Sequence, residues 1–312
     1  MMPRIGMCLV GVLLWIAVPA AGQQTGENRF SRTVQVGRDS SLAVSNIAGE
    51  VTVHTGRSGE MRIEANKRVR GGSDQDAERV RIDVAEHGGR VEVRTIHTGE
   101  NDHTSVDFTI TVPPDASVDL RSISGNIQVA GVQGGVRAES VSGNVTVGSA
   151  AHLDRIKSVS GDVRITGGSS DADVDTGSIS GNVTITNLKA PGLTLSTVSG
   201  DMVLDGMTLD RVSIRSVSGD VDYTGALARN GRYEISSHSG DITLRLAGQT
   251  GFEFDATSFS GDIQSDFPIT IHDTGSDNRH GPRQHAVHGT FGDASALLTV
   301  RTFSGDVTVK RR

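Results

Sequence analysis

Ser122-Ile-Ser-Gly-Asn-Ile127 is written again eight times, ending with Thr302-Phe-Ser-Gly-Asp-Val307. Each copy reads Ser/Thr, a variable and mostly apolar residue, Ser, Gly, Asp/Asn and an apolar residue. The motif glycines stand at 125, 143, 161, 181, 200, 219, 240, 261 and 305. The first eight are 18 to 21 residues apart, and the last gap is 44. A period of this size means one supersecondary unit stacked on copies of itself.

Counting from each glycine as zero, positions −7 and −5 are mostly apolar (Val118/Leu120, Val212/Ile214, Leu298/Val300), as are +2 and +4 (Ile127/Val129, Val163/Ile165, Val307/Val309). Both stretches alternate with period two, so each is a strand with one buried face. The phrase is the corner between them. Glycine there permits positive φ, and the Asp/Asn side chain can bond its own loop. Nine such rungs at about 4.8 Å spacing predict an all-β parallel solenoid, a β-helix-like rod roughly 40 Å long.

Two departures stand out. Asp154 occupies an apolar −7 position beside Leu153, which predicts a register shift. Ser265 replaces the apolar +4 residue after Gly261, and the segment 264–296 reads as an insertion or distorted turn before the last phrase. Upstream, residues 31–115 form an irregular β-rich N-terminal part of the solenoid, or cap, ahead of the repeat over 116–312. It holds a degenerate phrase, Asn46-Ile-Ala-Gly-Glu-Val51, and a hairpin turning at Glu86-His-Gly-Gly89. Ser73-Asp-Gln-Asp76 caps a predicted short helix reaching about Arg79.

The first 22 residues read as a signal peptide. Arg4 supplies the positive region, Ile5 to Val18 the apolar one, and Ala20 to Gly22 the small-residue cleavage zone. A polar tail follows over 23–30. Cleavage removes Cys8, Trp15 and Arg4, taking the net charge from −7 to −8 and leaving a chain with neither cysteine nor tryptophan. Export without disulfides leaves stability to packing and backbone pairing. The acidic balance, with no basic block, argues against nucleic acid and anionic lipid as partners. No further apolar run is long enough to span a membrane after signal cleavage. The protein is expected in the periplasm, the outer envelope or outside the cell.

The chain resembles the exported "putative adhesin" family of bacterial β-strand-repeat proteins. The marks are Ser45-Asn-Ile-Ala-Gly-Glu-Val51, the strand ending Thr109-Ile-Thr-Val-Pro113, the serial Ser-Gly-Asp/Asn turns, and the closing phrase from Arg301 to Val307. The resemblance covers residues 30–312. It implies a domain of unknown function with a surface or envelope role, and no catalytic residues, cofactor or active site.

Candidate chemistry is sparse. The row Asn126, Asn144, Asp162, Asn182, Asp201, Asp220, Asp241, Asp262, Asp306 is either a set of hard-cation sites or solvated turn residues bonding their own loops. Asp171, Asp173 and Asp175 resemble the opening of a calcium loop, but glycine falls at 177 and Asn182 stands where a bidentate Glu belongs. His272, His280, His285 and His288 gather in the insertion near Asp273, Asp277 and Asp293, without a known zinc spacing. These are the metal candidates, and a solvated reading is preferred for each. A carbohydrate enzyme would want paired carboxylates and aromatic platforms, and the mature chain keeps only Tyr223 and Tyr233 beside its phenylalanines. Nucleophile-elbow, phosphate-loop and dinucleotide patterns are missing.

Position −2 is less bland: Ile123, Val141, Val159, Ile179, Val198, Val217, His238, Phe259 and Phe303. Strand parity sends it outward as an apolar interaction stripe along the rod. Alternatively the corner breaks parity, tucks these residues inside and leaves the flanking Ser rows outside. The cost of a long exposed stripe favours that second arrangement. The sequence therefore points to an exported, non-catalytic interaction or structural scaffold with an envelope protein, surface protein or glycan as partner. A polysaccharide-acting enzyme or a cation-binding rod is the alternative.

Overall fold

The computed structural model describes residues 28–70, 77–98, 104–271 and 285–312. The signal peptide, tail residues 23–27, His272, Asp273, Asp277, His280 and helix positions 73–76 lie outside the described residues. Ala77 and Glu78 are helical, and they lead directly into a strand.

Before the regular phrases the chain forms β1 (Arg29–Gln35), β2 (Ser41–Ala48), β3 (Val51–Thr55), β4 (Glu60–Val69), β5 (Val80–His87), β6 (Arg90–His97) and β7 (Thr104–Val112). Strand β1 thus begins inside the stretch read as a tail, and Phe30 is buried. The repeat supplies β8 (Ser117–Ser124), β9 (Ile127–Ala130), β10 (Val136–Ser142), β11 (Val145–Ala150), β12 (Leu153–Ser158), β13 (Val163–Ser169) and β14 (Val174–Ser180). Two 17-residue strands follow, β15 (Val183–Ser199) and β16 (Met202–Ser218), then β17 (Val221–Ala226), β18 (Arg232–Ser239) and β19 (Ile242–Ala247). The last portion holds β20 (Phe252–Ser260), β21 (Ile263–Ser265), β22 (Thr270–Ile271), β23 (His285–Phe291), β24 (Ala296–Ser304) and β25 (Val307–Arg311).

The all-β expectation holds. Two ladders of parallel strands meet at the phrase corners. The strand before each corner pairs with its counterpart in the next unit, as β8 with β10, and so does the strand after it, as β9 with β11. β15 and β16 each serve both ladders, closing one unit and opening the next. The −7, −5, +2 and +4 side chains interdigitate between the ladders as one continuous apolar core. Burying each such Val, Leu or Ile contributes about 1.5–3 kcal/mol. Asp154 does shift the register: Val136 pairs with Leu153 but Arg137 with Arg155, and Asp154 is expelled to an ion pair with Arg137.

Stack order departs from chain order at both ends. β24 lies between β18 and β20, and β25 between β19 and β21, so the Gly305 corner sits between those of Gly240 and Gly261. At the other end β2 lies between β6 and β8, and β3 between β7 and β9. The degenerate phrase at Gly49 is therefore a true corner one layer inside the end, and β6 with β7 forms an outer layer. Among the described residues both ladders are covered at the first end, and at the second end the β20 edge is covered while β21 pairs with β25 alone. β5 and β4 close the first in antiparallel fashion, the hairpin turning through Gly88 and Gly89 as the sequence predicts. β23 and β22 close the second. Covering these edges removes templates for strand addition. The 264–296 insertion thus supplies an end cap, where Phe252, Phe267 and Phe291 cluster under the guanidinium of Arg311.

Two tyrosines in the core differ in one respect. Tyr233 Oη donates to the Leu209 carbonyl (2.6 Å) and accepts from the Ala228 N–H (2.8 Å). Tyr223 Oη, equally buried, has no hydrogen-bond partner. Tyr233→Phe is expected to cost about 1–3 kcal/mol in urea unfolding, and Tyr223→Phe to be neutral or stabilising. Burial pushes both hydroxyls above their ordinary range. A raised folded pKa means the stabilisation is complete below the unfolded pKa of about 10 and declines as pH rises beyond it. Melting temperature should therefore drop above about pH 10, and drop less in Tyr223→Phe.

Candidate functional site

The position −2 row faces solvent, which corrects the expectation that the corner tucks it inside. Exposure runs from 38% at Phe259 to 55% at Ile123, with Val141, Val159, Ile179, Val198, Val217 and Phe303 between. The buried row is −3. Ser122, Ser140, Ser158, Ser178, Thr197, Ser216, Ser237, Ser258 and Thr302 are all buried. Strand alternation persists through −2, and the turn begins only after it. Burying the −3 row is cheap where a hydroxyl finds a carbonyl of the adjacent unit. Ser140 Oγ donates to Gly125 O (3.1 Å), Ser158 to Gly143 O (2.8 Å) and Ser178 to Gly161 O (2.9 Å).

The stripe is longer than the regular phrases suggest. Ile47, at −2 of the degenerate phrase, is 36% exposed, and Ile96 on the outer layer is 41% exposed. Ile47 was findable from that phrase; Ile96 has no phrase around it and only strand pairing places it. At the far end His238, Phe303 and Phe259 stack face to face, with centroids 4.9 and 4.7 Å apart. This aromatic stack exists because Gly305 is interposed between Gly240 and Gly261.

Near Ile96, Ile47, Ile123, Val141, Val159 and Ile179 the stripe floors a groove of about 800 Å³. Its sides carry Arg94, Arg121, Arg155, Lys157 and one carboxylate, Glu139. The cations have ion-pair partners just outside, such as Glu92 for Arg94 (2.7 Å) and Asp175 for Lys157 (2.7 Å). A hydrogen bond from Arg90, with the charge of Arg94, holds the Glu92 carboxyl below its ordinary range.

The Asp/Asn row bonds the adjacent unit and not its own loop. The Oδ1 of each residue except Asp262, the last of the stack, accepts the backbone N–H of its counterpart in the next unit: Asn144 N–H to Asn126 (2.9 Å), Asp162 to Asn144 (2.8 Å), Asp220 to Asp201 (3.0 Å) and Asp241 to Asp220 (2.8 Å). The ladder follows stack order, from Asp241 to Asp306 to Asp262, each at 2.8 Å. Asp107 begins it on the outer layer by accepting the Glu50 N–H (2.9 Å). Asn serves as well as Asp because only the oxygen is used. Asp220→Ala is thus expected to cost about 1 kcal/mol and Asp220→Asn close to none, as read by chemical denaturation.

The three loop aspartates do not converge. Asp171 faces His152 (3.5 Å), Asp173 faces Arg211 (2.7 Å), and Asp175 faces Arg155 (3.2 Å) and Lys157. His285 Nδ1 lies 2.7 Å from Gly261 O and 3.7 Å from Asp262, while His288 lies 4.0 Å from Glu253. Among the described residues no three His, Cys, Asp or Glu side chains group as metal ligands. No helix among them is long and apolar enough to cross a membrane.

No curated protein matches the sequence. The chain is similar to a "putative adhesin" of Bacteroides fragilis at 12% identity, over 93% of this chain and 100% of that one, with a TM-score of 0.46. It is similar to another of Parabacteroides distasonis at 12% identity, over 90% and 96%, with a TM-score of 0.38. A "putative cell adhesion protein" of Clostridium sporogenes is 10% identical over 90% and 99%, with a TM-score of 0.25. A family model matches residues 40–310, which takes in the corners from Gly49 to Gly305 and both ladders. The chain belongs to the Toastrack DUF4097 family.

Proposed function

We propose that this chain is an exported, non-catalytic, adhesin-like scaffold of the cell envelope, which acts through repeated side chains presented at constant pitch. The observation that carries the reading is the exposed stripe. A row of aliphatic and aromatic side chains at every corner exceeds what a monomer ordinarily leaves bare. Similar weak contacts on successive units add along the stack, so affinity comes from repetition. The groove beside the stripe supports a binding role over a hydrolytic one, since Glu139 is its single lining carboxylate and a glycosidase needs two. The signal sequence motivates the placement in the periplasm, outer envelope or extracellular space.

The test is retention. Val141→Asp with Val198→Asp places two charges on the stripe at exposed positions, where stability should change by no more than about 0.5 kcal/mol. In the producing cell the variant is expected to shift from the envelope fraction to the soluble exported fraction. Unchanged retention with an unchanged melting temperature removes the reading.

A further inference from the structure

We propose that the stripe is covered by a second copy of this chain, docked in parallel about a two-fold axis that runs along the stack. The proposal rests on the scaffold reading above and names the occupant of its surface.

The stripe holds eleven positions in stack order: Ile96, Ile47, the six aliphatics from Ile123 to Val217, then His238, Phe303 and Phe259. Ten gaps of about 4.8 Å make it about 48 Å long. The band from position −4 to +1 spans five residues, about 16 Å. The product, about 770 Å² per copy, matches what a stable dimer of standard size buries on each side.

Charge selects the partner and its orientation. On one side of the stripe, the −4 row carries Arg94, Arg121, Lys157, Arg215 and Arg301 against a single acid, Glu139. On the other side, the +1 row carries Glu50 and seven aspartates, Asp107 of the outer layer included, and no cation. A surface with opposite signs on its two flanks complements itself in one way. A two-fold axis perpendicular to the stack would set cation row on cation row. An axis parallel to the stack sets each cation row against the acidic row of the other copy, and closed symmetry then faces every unit with itself. The charges agree in most units, the exception being Arg121, which would face the neutral Asn126. Lys157 would face the partner's Asp162, Arg215 the partner's Asp220, and Arg301 the partner's Asp306. The one acid of the −4 row, Glu139, belongs to the unit whose +1 residue is the neutral Asn144. Identical pitch in the two copies keeps this register along the whole length. Rim pairs of this kind add little affinity but exclude the other orientation.

Sedimentation velocity on the exported chain, cleaved after the signal peptide and therefore free of cysteine, with single-cysteine cross-linking, tests this. The wild type is expected to sediment as a dimer at micromolar concentration. Val141→Asp with Val198→Asp should give a monomer, and Lys157→Glu with Arg215→Glu and Arg301→Glu should weaken the dimer about tenfold or more. Ile123→Cys should form a disulfide with its own copy under mild oxidation, and so should His238→Cys. Six units, about 29 Å, separate those two positions, far beyond disulfide reach. A monomeric wild type overturns the proposal. Cross-linking only in a mixture of Ile123→Cys and His238→Cys means an antiparallel dimer and overturns it equally. A monomer whose stripe variant still leaves the envelope fraction sinks the dimer but keeps the scaffold. A dimer whose stripe variant is retained normally sinks the scaffold reading instead.

Discussion

Gly200→Ala is expected to lower stability by about 4 kcal/mol, enough to leave much of the protein unfolded at growth temperature. A Cβ placed on Gly200 would lie 2.2 Å from the carbonyl oxygen of Gly181 in the adjacent unit. That oxygen cannot retreat, because the corner is held on both sides by strand ladders. The backbone at Gly200, with φ of 142°, adds strain for any L side chain. Gly143→Ala separates the two causes. Its Cβ would meet Gly125 O in the same way, but its φ lies outside the left-handed region. Most of the loss should persist there if close approach dominates. Gly148→Ala, with nothing within 4 Å, is the control and should change little. A chevron or urea series on the three variants reads the difference. Equal small losses at all of them would remove close approach as the reason for the glycine row.

Asn46→Ala is expected to cost about 3 kcal/mol. Asn46 stands at −3 of the Gly49 corner, where every regular phrase has Ser or Thr, and it is buried. Its amide donates to Gly49 O (3.0 Å) and to Val106 O on the outer layer (3.0 Å). Its Oδ1 accepts from Thr95 Oγ1 (3.2 Å). Alanine removes the side-chain donor to the Gly49 and Val106 carbonyls, while Thr95 Oγ1 keeps the Ile47 N–H and the Ser45 carbonyl as partners. Asn46→Ser should recover part of the loss, since Ser140 and Ser158 reach the equivalent carbonyl of their own neighbours. The measurement is thermal unfolding together with amide exchange on β6 and β7, whose protection should fall first. If exchange there is unchanged, Asn46 does not tie the outer layer to the stack.

Much of this was legible in the residues alone. The period of the phrase, the apolar pairs on either side and the switch at Asp154 led to two parallel ladders, a shared core and a register shift. The −2 residues were legible as a candidate surface, but not as an exposed one. Parity said out and the aggregation cost said in, and the sequence carried no term to weigh them. The structure decides for outward, with the −3 hydroxyls of Ser140, Ser158, Ser178 and Ser258 bonding carbonyls of the adjacent unit while those of Ser122, Thr197, Ser237 and Thr302 are buried without a partner, so strand alternation prevails even where burying the hydroxyl is not compensated. The Asp/Asn row was misread as local for a related reason: a side chain one residue past a turn has two carriers of N–H within reach, one in its own loop and one in the next unit. Only the spacing between units selects the second.

The sequence by itself determined the repeating unit, since strand alternation and the glycine corner are properties of neighbours along the chain. Only the tertiary structure decided the order in which units stack, placing Gly305 between Gly240 and Gly261 and the Gly49 corner inside the outer layer. All corners are alike in their pairing edges, so any unit can pair with any other. What discriminates is which segments are free to close the ends, and that is settled by β4, β5 and β23 packing antiparallel where another parallel strand would otherwise add.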